Sequence, residues 1–167
     1  LAFRGYYSAA LHLVGALVLT SVSVTLIKNG LAVARPTVVT EPPASFAFPS
    51  GHATGITVFV GLAAAFVARE WRPSRRWKVY LLFSVPMILV ATSRVALGVH
   101  WFTDVIGGLL LALAVTGAVR ASYSRYDKVP LATDITVVVA AIAWAAFACG
   151  YIALSWDEAV MNFRPLG

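Results

Sequence analysis

The sequence predicts an all-α fold, a polytopic transmembrane bundle of about five membrane-spanning helices, and three observations predict it. Of the 167 residues, 60% are hydrophobic and 12% charged, with a mean hydropathy of +0.83. A soluble domain is nearer half apolar and a quarter charged. Five apolar segments, at about 8–27, 51–67, 79–97, 101–119 and 131–156, each approach the ~20 residues that a helix needs to cross a bilayer. The basic residues fall mostly to one side of these segments. Arg69, Arg72, Arg75, Arg76 and Lys78 lie in one connection and Arg120, Arg125 and Lys128 in another. With Arg4 they make nine of the 13 Lys and Arg, all on one side if five segments alternate. The positive-inside rule puts that side in the cytoplasm and the acidic pair Asp157-Glu158 outside. The net charge of +6 is thus a topology signal, and no nucleic-acid partner is expected.

Taken in order, the first segment closes at Lys28, with Asn29-Gly30 expected to stop the helix. Arg35-Pro36 leads into a Pro-rich loop through Glu41-Pro42-Pro43 to Phe48, and Pro49-Ser50-Gly51-His52 opens the second segment. Small residues at Gly61-Leu62-Ala63-Ala64-Ala65 and Gly107-Gly108 allow close helix packing in lipid. Pro86 is expected to kink the third segment, which neighbouring helices tolerate. That segment ends at Ser93-Arg94, Gly98 lets the chain turn, and His100 and Asp104 open the fourth. Cys149, the single cysteine, lies in the fifth, so no intrachain disulfide or Cys-based metal site is expected. No repeat or long linker is visible, which makes residues 1–167 one membrane domain with its motif core at about 8–120.

Helix parity brings Lys28, Arg35, Ser50, His52, Arg94, His100 and Asp104 to the same outer boundary. Ionisable residues at such a depth mark a functional site. Three cations without carboxylates to match them suit a multiply charged anion, with Arg offering bidentate bonds to phosphate oxygens. The helix opening at Ser50-Gly51-His52 adds free N–H groups and a favourable dipole end. Ser50 either caps that helix or donates to the ligand, and Gly51 permits close backbone approach. His100 and Asp104, four apart, share a helical face. A carboxylate there can hold one ring nitrogen and leave the other free to attack phosphorus. His52 is then available as a general acid. Two His and one Asp could form a metal triad, but three adjacent cations would repel the metal.

These residues closely resemble the type 2 phosphatidic acid phosphatase superfamily, the membrane lipid phosphate phosphatases related to certain bacterial acid phosphatases and vanadium haloperoxidases. Its signature is Lys-x6-Arg-Pro, Pro-Ser-Gly-His and Ser-Arg-x5-His-x3-Asp. Here the three parts are Lys28 to Arg35-Pro36, Pro49-Ser50-Gly51-His52, and Ser93-Arg94 with His100 and Asp104, intact and in order. The resemblance implies that His100 forms a phosphohistidine, Asp104 orients and charge-balances it, and His52 protonates the leaving group. It implies that Lys28, Arg35, Ser50, Gly51 and Arg94 hold the phosphoryl oxygens, and that no metal or other cofactor is needed. The implied substrate is a lipid phosphomonoester or pyrophosphate, and the charge bias puts it at the outer face of a bacterial plasma (inner) membrane; an undecaprenyl pyrophosphate, a phosphatidylglycerol phosphate, phosphatidic acid and the phosphate on lipid A all fit. Members of the membrane branch usually have six helices, two of them before the first motif helix. One apolar segment up to that motif, and one after the last motif helix, suggest upstream truncation or a domain from a fusion protein.

Two alternatives stand beside hydrolysis. A lipid-phosphate binding or transport protein would need the cations but no nucleophile, so the His100–Asp104 pair with His52 weighs against it. A phosphotransferase would use the same phosphohistidine with another acceptor than water. Outside the motifs, His12 reads as a packing or hydrogen-bonding residue. Trp71, Trp77, Tyr80, Trp101 and Trp156 read as interfacial anchors, with Trp101 and Phe102 also candidates to line the substrate path.

Overall fold

A computed structural model describes residues 7–40, 42–126 and 160–161. Four helices organise them: α1 (Tyr7–Leu31), α2 (Gly51–Arg69), α3 (Arg76–Ala96) and α4 (Phe102–Tyr126), with a 3-10 turn at Pro73–Arg75 before α3. All four spans are long and apolar enough to cross a membrane, as the first four apolar segments predicted. The fifth expected segment, 131–156, lies outside the described residues, as does Trp156.

The first helix does not stop where Asn29-Gly30 suggested. It runs through both residues to Leu31. Ala32 then takes a positive φ of 47° while its N–H bonds the Lys28 carbonyl at 2.9 Å. The left-handed closing residue is thus an alanine, and Lys28 sits inside the last turn. α3 runs through Pro86 as one helix. A proline there removes one hydrogen bond from the helical ladder, a loss that a helix among neighbours tolerates.

α2 is the inner helix. Eight of its residues are buried, including Thr54, Thr57, Val58 and Leu62, whereas α3 buries only Val79 and Ala91. Val58 and Leu62 pack with Ala16 of α1 and with Ala112 and Val115 of α4. Leu11, Val18 and Leu26 on α1, and Leu81, Leu82 and Leu89 on α3, are exposed, as lipid-facing side chains would be. Trp71, Trp77 and Trp101 near the helix ends are exposed too, consistent with interfacial anchoring.

The small residues act where the sequence placed them. At Gly61 an added Cβ would lie 3.4 Å from Thr116 Cγ2 of α4, and at Gly107 it would enter the Phe48 ring. At Gly108 it would lie 2.8 Å from both the Ser50 carbonyl and Thr54 Oγ1. A backbone carbonyl at the start of α2 cannot rotate away. Gly108→Ala should therefore push α4 off α2 and cost about 1–3 kcal/mol, the usual range for overpacking. The measurement is thermal unfolding in detergent; an unchanged Tm would refute this account of the contact.

Candidate active site

The cluster at one end of the bundle is built from α2, the α3–α4 connection and the loop after α1. Ser50 is the N-cap of α2: its side chain accepts from Ala53 N at 3.5 Å and is fully buried. Of the two roles open to Ser50, the structure displays the cap. Its backbone N–H bonds the Asp104 carbonyl at 2.9 Å, which ties the start of α2 to the start of α4. Gly51 is not demanded by packing, since a Cβ there would meet only Val24 Cγ1 at 3.6 Å, an ordinary contact.

The turn between α3 and α4 depends on Gly98, at φ +65°, where a Cβ would also lie 2.4 Å from Val38 Cγ2. It delivers His100 into a buried position against Asp104, with Nδ1 3.2 Å from Oδ2. The same Oδ2 accepts from Trp101 N at 2.8 Å. Asp104 is the third residue of α4, so its bond to the N–H preceding the helix is one half of a capping box. The other oxygen, Oδ1, is buried without a partner among the described residues.

Arg35 reaches His100 from the loop after α1. Its Nη1 donates to the Val99 carbonyl at 2.6 Å and to His100 Nε2 at 3.2 Å. A guanidinium can only donate, so Nε2 must be the accepting nitrogen and the ring proton belongs on Nδ1, toward Asp104. Burial, and after it the Arg35 charge, push His100 down to about 4 against the opposing pull of Asp104. The imidazole is therefore neutral near pH 7, with its unshared pair on Nε2 facing the cation.

The remaining Arg35 donors hold the Pro-rich loop. Nε bonds the Ser45 carbonyl at 2.7 Å and Nη2 bonds Ser45 Oγ at 3.0 Å. Lys28 Nζ donates to the Phe46 and Ala47 carbonyls. Trp101 Nε1 bonds the Ala34 carbonyl at 2.9 Å, tying the loop to the α4 start. A depression of about 290 Å³ opens beside Arg35, between Val33–Thr37 and Pro42–Phe46. Arg94, half-buried in the last turn of α3, has Nε 3.4 Å from Ser93 Oγ. His52 is exposed in the first turn of α2, within electrostatic reach of Arg94, Arg35 and Lys28.

All eight residues expected from the sequence, Lys28, Arg35, Ser50, Gly51, His52, Arg94, His100 and Asp104, thus belong to elements meeting at this end. The contributors that sequence reading missed are mostly backbone: Trp101 N, and the Ser45, Phe46 and Val99 carbonyls. The Trp101 contact had a readable signal, an acidic residue at the third helical position. The carbonyls had none.

Fold and cluster together define an integral membrane protein with cations gathered around a buried His–Asp pair. The chain belongs to the PAP2 superfamily, whose family model matches residues 9–128. Phosphatidylglycerophosphatase B of Bacillus subtilis (strain 168) is 39% identical over 71 residues, covering 41% of this chain and 35% of that protein. An undecaprenyl-diphosphatase of Sulfolobus acidocaldarius is 38% identical over 78 residues, covering 46% of this chain and 34% of its own. The crystal structure of a transmembrane PAP2 type phosphatidylglycerolphosphate phosphatase from Bacillus subtilis matches with a TM-score of 0.63 at 28% identity. That match covers 71% of this chain and 60% of the other. The matched stretches amount to about a third of the length of the two curated relatives.

Proposed function

We propose that the chain carries the catalytic core of a membrane lipid phosphatase that hydrolyses a phosphomonoester or diphosphate through a phosphohistidine on His100. The observation that carries this reading is the pair of contacts that His100 makes, Nδ1 with Asp104 Oδ2 and Nε2 with Arg35 Nη1. An Nδ1–H that donates to Asp104 leaves the Nε2 pair pointing at a cation, where a phosphoryl group would be drawn. A protein that only bound head groups would not need this pair.

In the proposed reaction a phosphoryl oxygen displaces Nε2 as the acceptor of Arg35. Nε2 then forms a bond to phosphorus as the bond to the leaving oxygen breaks. His52 supplies the proton that the leaving oxygen requires. The phosphorylated ring carries a positive charge that the Asp104 carboxylate balances. Water next attacks phosphorus, gives its proton back to His52, and releases inorganic phosphate with His100 neutral again. Lys28, Arg35, Arg94 and the N–H groups at Gly51 hold the phosphoryl oxygens as charge develops. Among the described residues no group of three His, Cys, Asp or Glu is placed to hold a metal ion, and the cations around His100 would oppose one.

The names of two relatives support a lipid phosphate as substrate: one is a phosphatidylglycerophosphatase, the other an undecaprenyl-diphosphatase. The positive-inside distribution of Lys and Arg supports an active site on the periplasmic or outer face. Labelling of cysteines introduced at 37–40 or 42–48 checks this, and labelling from the cytoplasm alone would reverse it.

Phosphate release from a panel of lipid phosphates in detergent tests the reaction. It should continue in EDTA and stop with vanadate, which mimics five-coordinate phosphorus. Loss on chelation with recovery on adding metal would refute the metal-free route. The pH profile adds a sign. Protonation removes the Nε2 pair, so kcat/KM should lose the nucleophile as pH falls through about 4, not through the ordinary histidine value of 6.5.

A further inference from the structure

A second cationic cluster lies at the other end of the bundle. A cavity of about 220 Å³ opens where the C-terminal ends of α2 and α4 meet the N-terminal end of α3. α2 connects the two sites, with Gly51 beside the His100 cluster and Arg69 at the cavity. Its 19 residues put roughly 28 Å of helix between them.

Arg69, Arg76 and Arg120, one from each helix, line the cavity. The positions of two of them are built into the fold. Arg76 donates through Nε to the Trp71 carbonyl at 3.1 Å and through Nη2 to the Arg69 carbonyl at 3.3 Å. The Arg69 guanidinium lies 5.6 Å from the centre of the Tyr123 ring. Tyr123 is buried, edge-on to Phe66 at 5.0 Å and to His12 at 5.3 Å. His12 is in turn fixed by the Ser8 carbonyl at 2.7 Å and Ser122 Oγ at 3.1 Å, the packing role its sequence position suggested.

The lining changes character with depth. Leu62 and Phe66 lie on the same face of α2 as Arg69, about two turns and one turn farther into the bilayer. Cations thus sit at the membrane boundary with apolar side chains beneath them. A free anion has no use for the apolar part, whereas a phospholipid matches both parts. Whole drug-sized ligands occupy about 300–1,000 Å³, so this smaller space suits a head group and its first carbons.

We propose that the cavity holds the phosphate of an anionic phospholipid from the leaflet opposite the catalytic site. Arginines suit it because their planar donors pair with phosphate oxygens two at a time. Basic pockets between transmembrane helices are an established way to bind such head groups. The assignment does not rest on the hydrolytic reading, since its readout is lipid retention and not turnover.

Native mass spectrometry of the detergent-purified chain, titrated with phosphatidylglycerol, phosphatidylcholine or inorganic phosphate, tests it. Phosphatidylglycerol is a diester and offers the His100 site no monoester to cleave. Its adduct should exceed that of phosphatidylcholine and fall at least about 5-fold in Arg120→Gln, a loss of one charge-assisted contact. Arg120 is exposed, so this variant should fold; Arg76→Gln, with its Tm recorded, is the second variant. Equal retention in both variants, equal retention of phosphatidylcholine, or displacement by equimolar inorganic phosphate would each overturn the proposal. So would a loss confined to Arg35→Gln, which would move the lipid to the catalytic end.

Discussion

Replacing His100 with alanine should lower phosphate release by about 10⁴-fold or more, the scale seen when a covalent nucleophile is removed. Among the described residues there is no obvious substitute. Asp104 is buried behind the ring, His52 is exposed on a different helix, and the nearby donors of Arg35 and Lys28 are cations. With the cations still in place, the variant should bind a lipid phosphate within about 3-fold of the parent, because only transition-state bonding is lost. Two measurements separate chemistry from binding: steady-state phosphate release, and trapping of an acid-labile phosphoenzyme from a labelled substrate. The trapped species should vanish with His100. Retained turnover, or a phosphoenzyme that persists, would remove His100 from the nucleophile position.

Asp104→Asn should be the next most damaging change, lowering kcat by up to about 10⁴-fold with little change in KM, as when a carboxylate behind a catalytic histidine becomes an amide. Oδ2 takes two donors, His100 Nδ1 and Trp101 N. An asparagine can present one oxygen to both, yet it brings no charge. The phosphorylated imidazole would then be a buried cation without its counter-ion, a costly state. Less phosphoenzyme should accumulate in this variant than in the parent. The melting temperature must be read alongside, because Asp104 also caps α4. A folded variant with parental kcat would refute the charge-balancing role.

Much of the architecture was readable because it depends on local or periodic signals. Apolar length anticipated the four spans found among the described residues. The spacing of His100 and Asp104 anticipated a contact that the structure has at 3.2 Å. What could not be read is what joins residues far apart by main-chain geometry. The bond from Ser50 N to the Asp104 carbonyl involves atoms every residue possesses, so no side chain announces it. Nor did composition reveal that Arg35 would bond carbonyls of Ser45 and Val99. The end of α1 was misjudged for a related reason. Asn29-Gly30 has the chemistry of a stop, but the chain places its left-handed residue at Ala32, where the Lys28 carbonyl is closed off.

The contact of Arg35 with His100 Nε2 has one more consequence. In the proposed hydrolase the reactive electron pair is never bare between turnovers; a guanidinium stoppers it. To uncover it, an incoming group must attract that guanidinium more strongly than a neutral ring nitrogen does. A phosphate with two negative charges meets that condition, whereas an uncharged sugar or alcohol head group does not. The first discrimination among lipids is then electrostatic, and it is made before any bond to phosphorus begins to form.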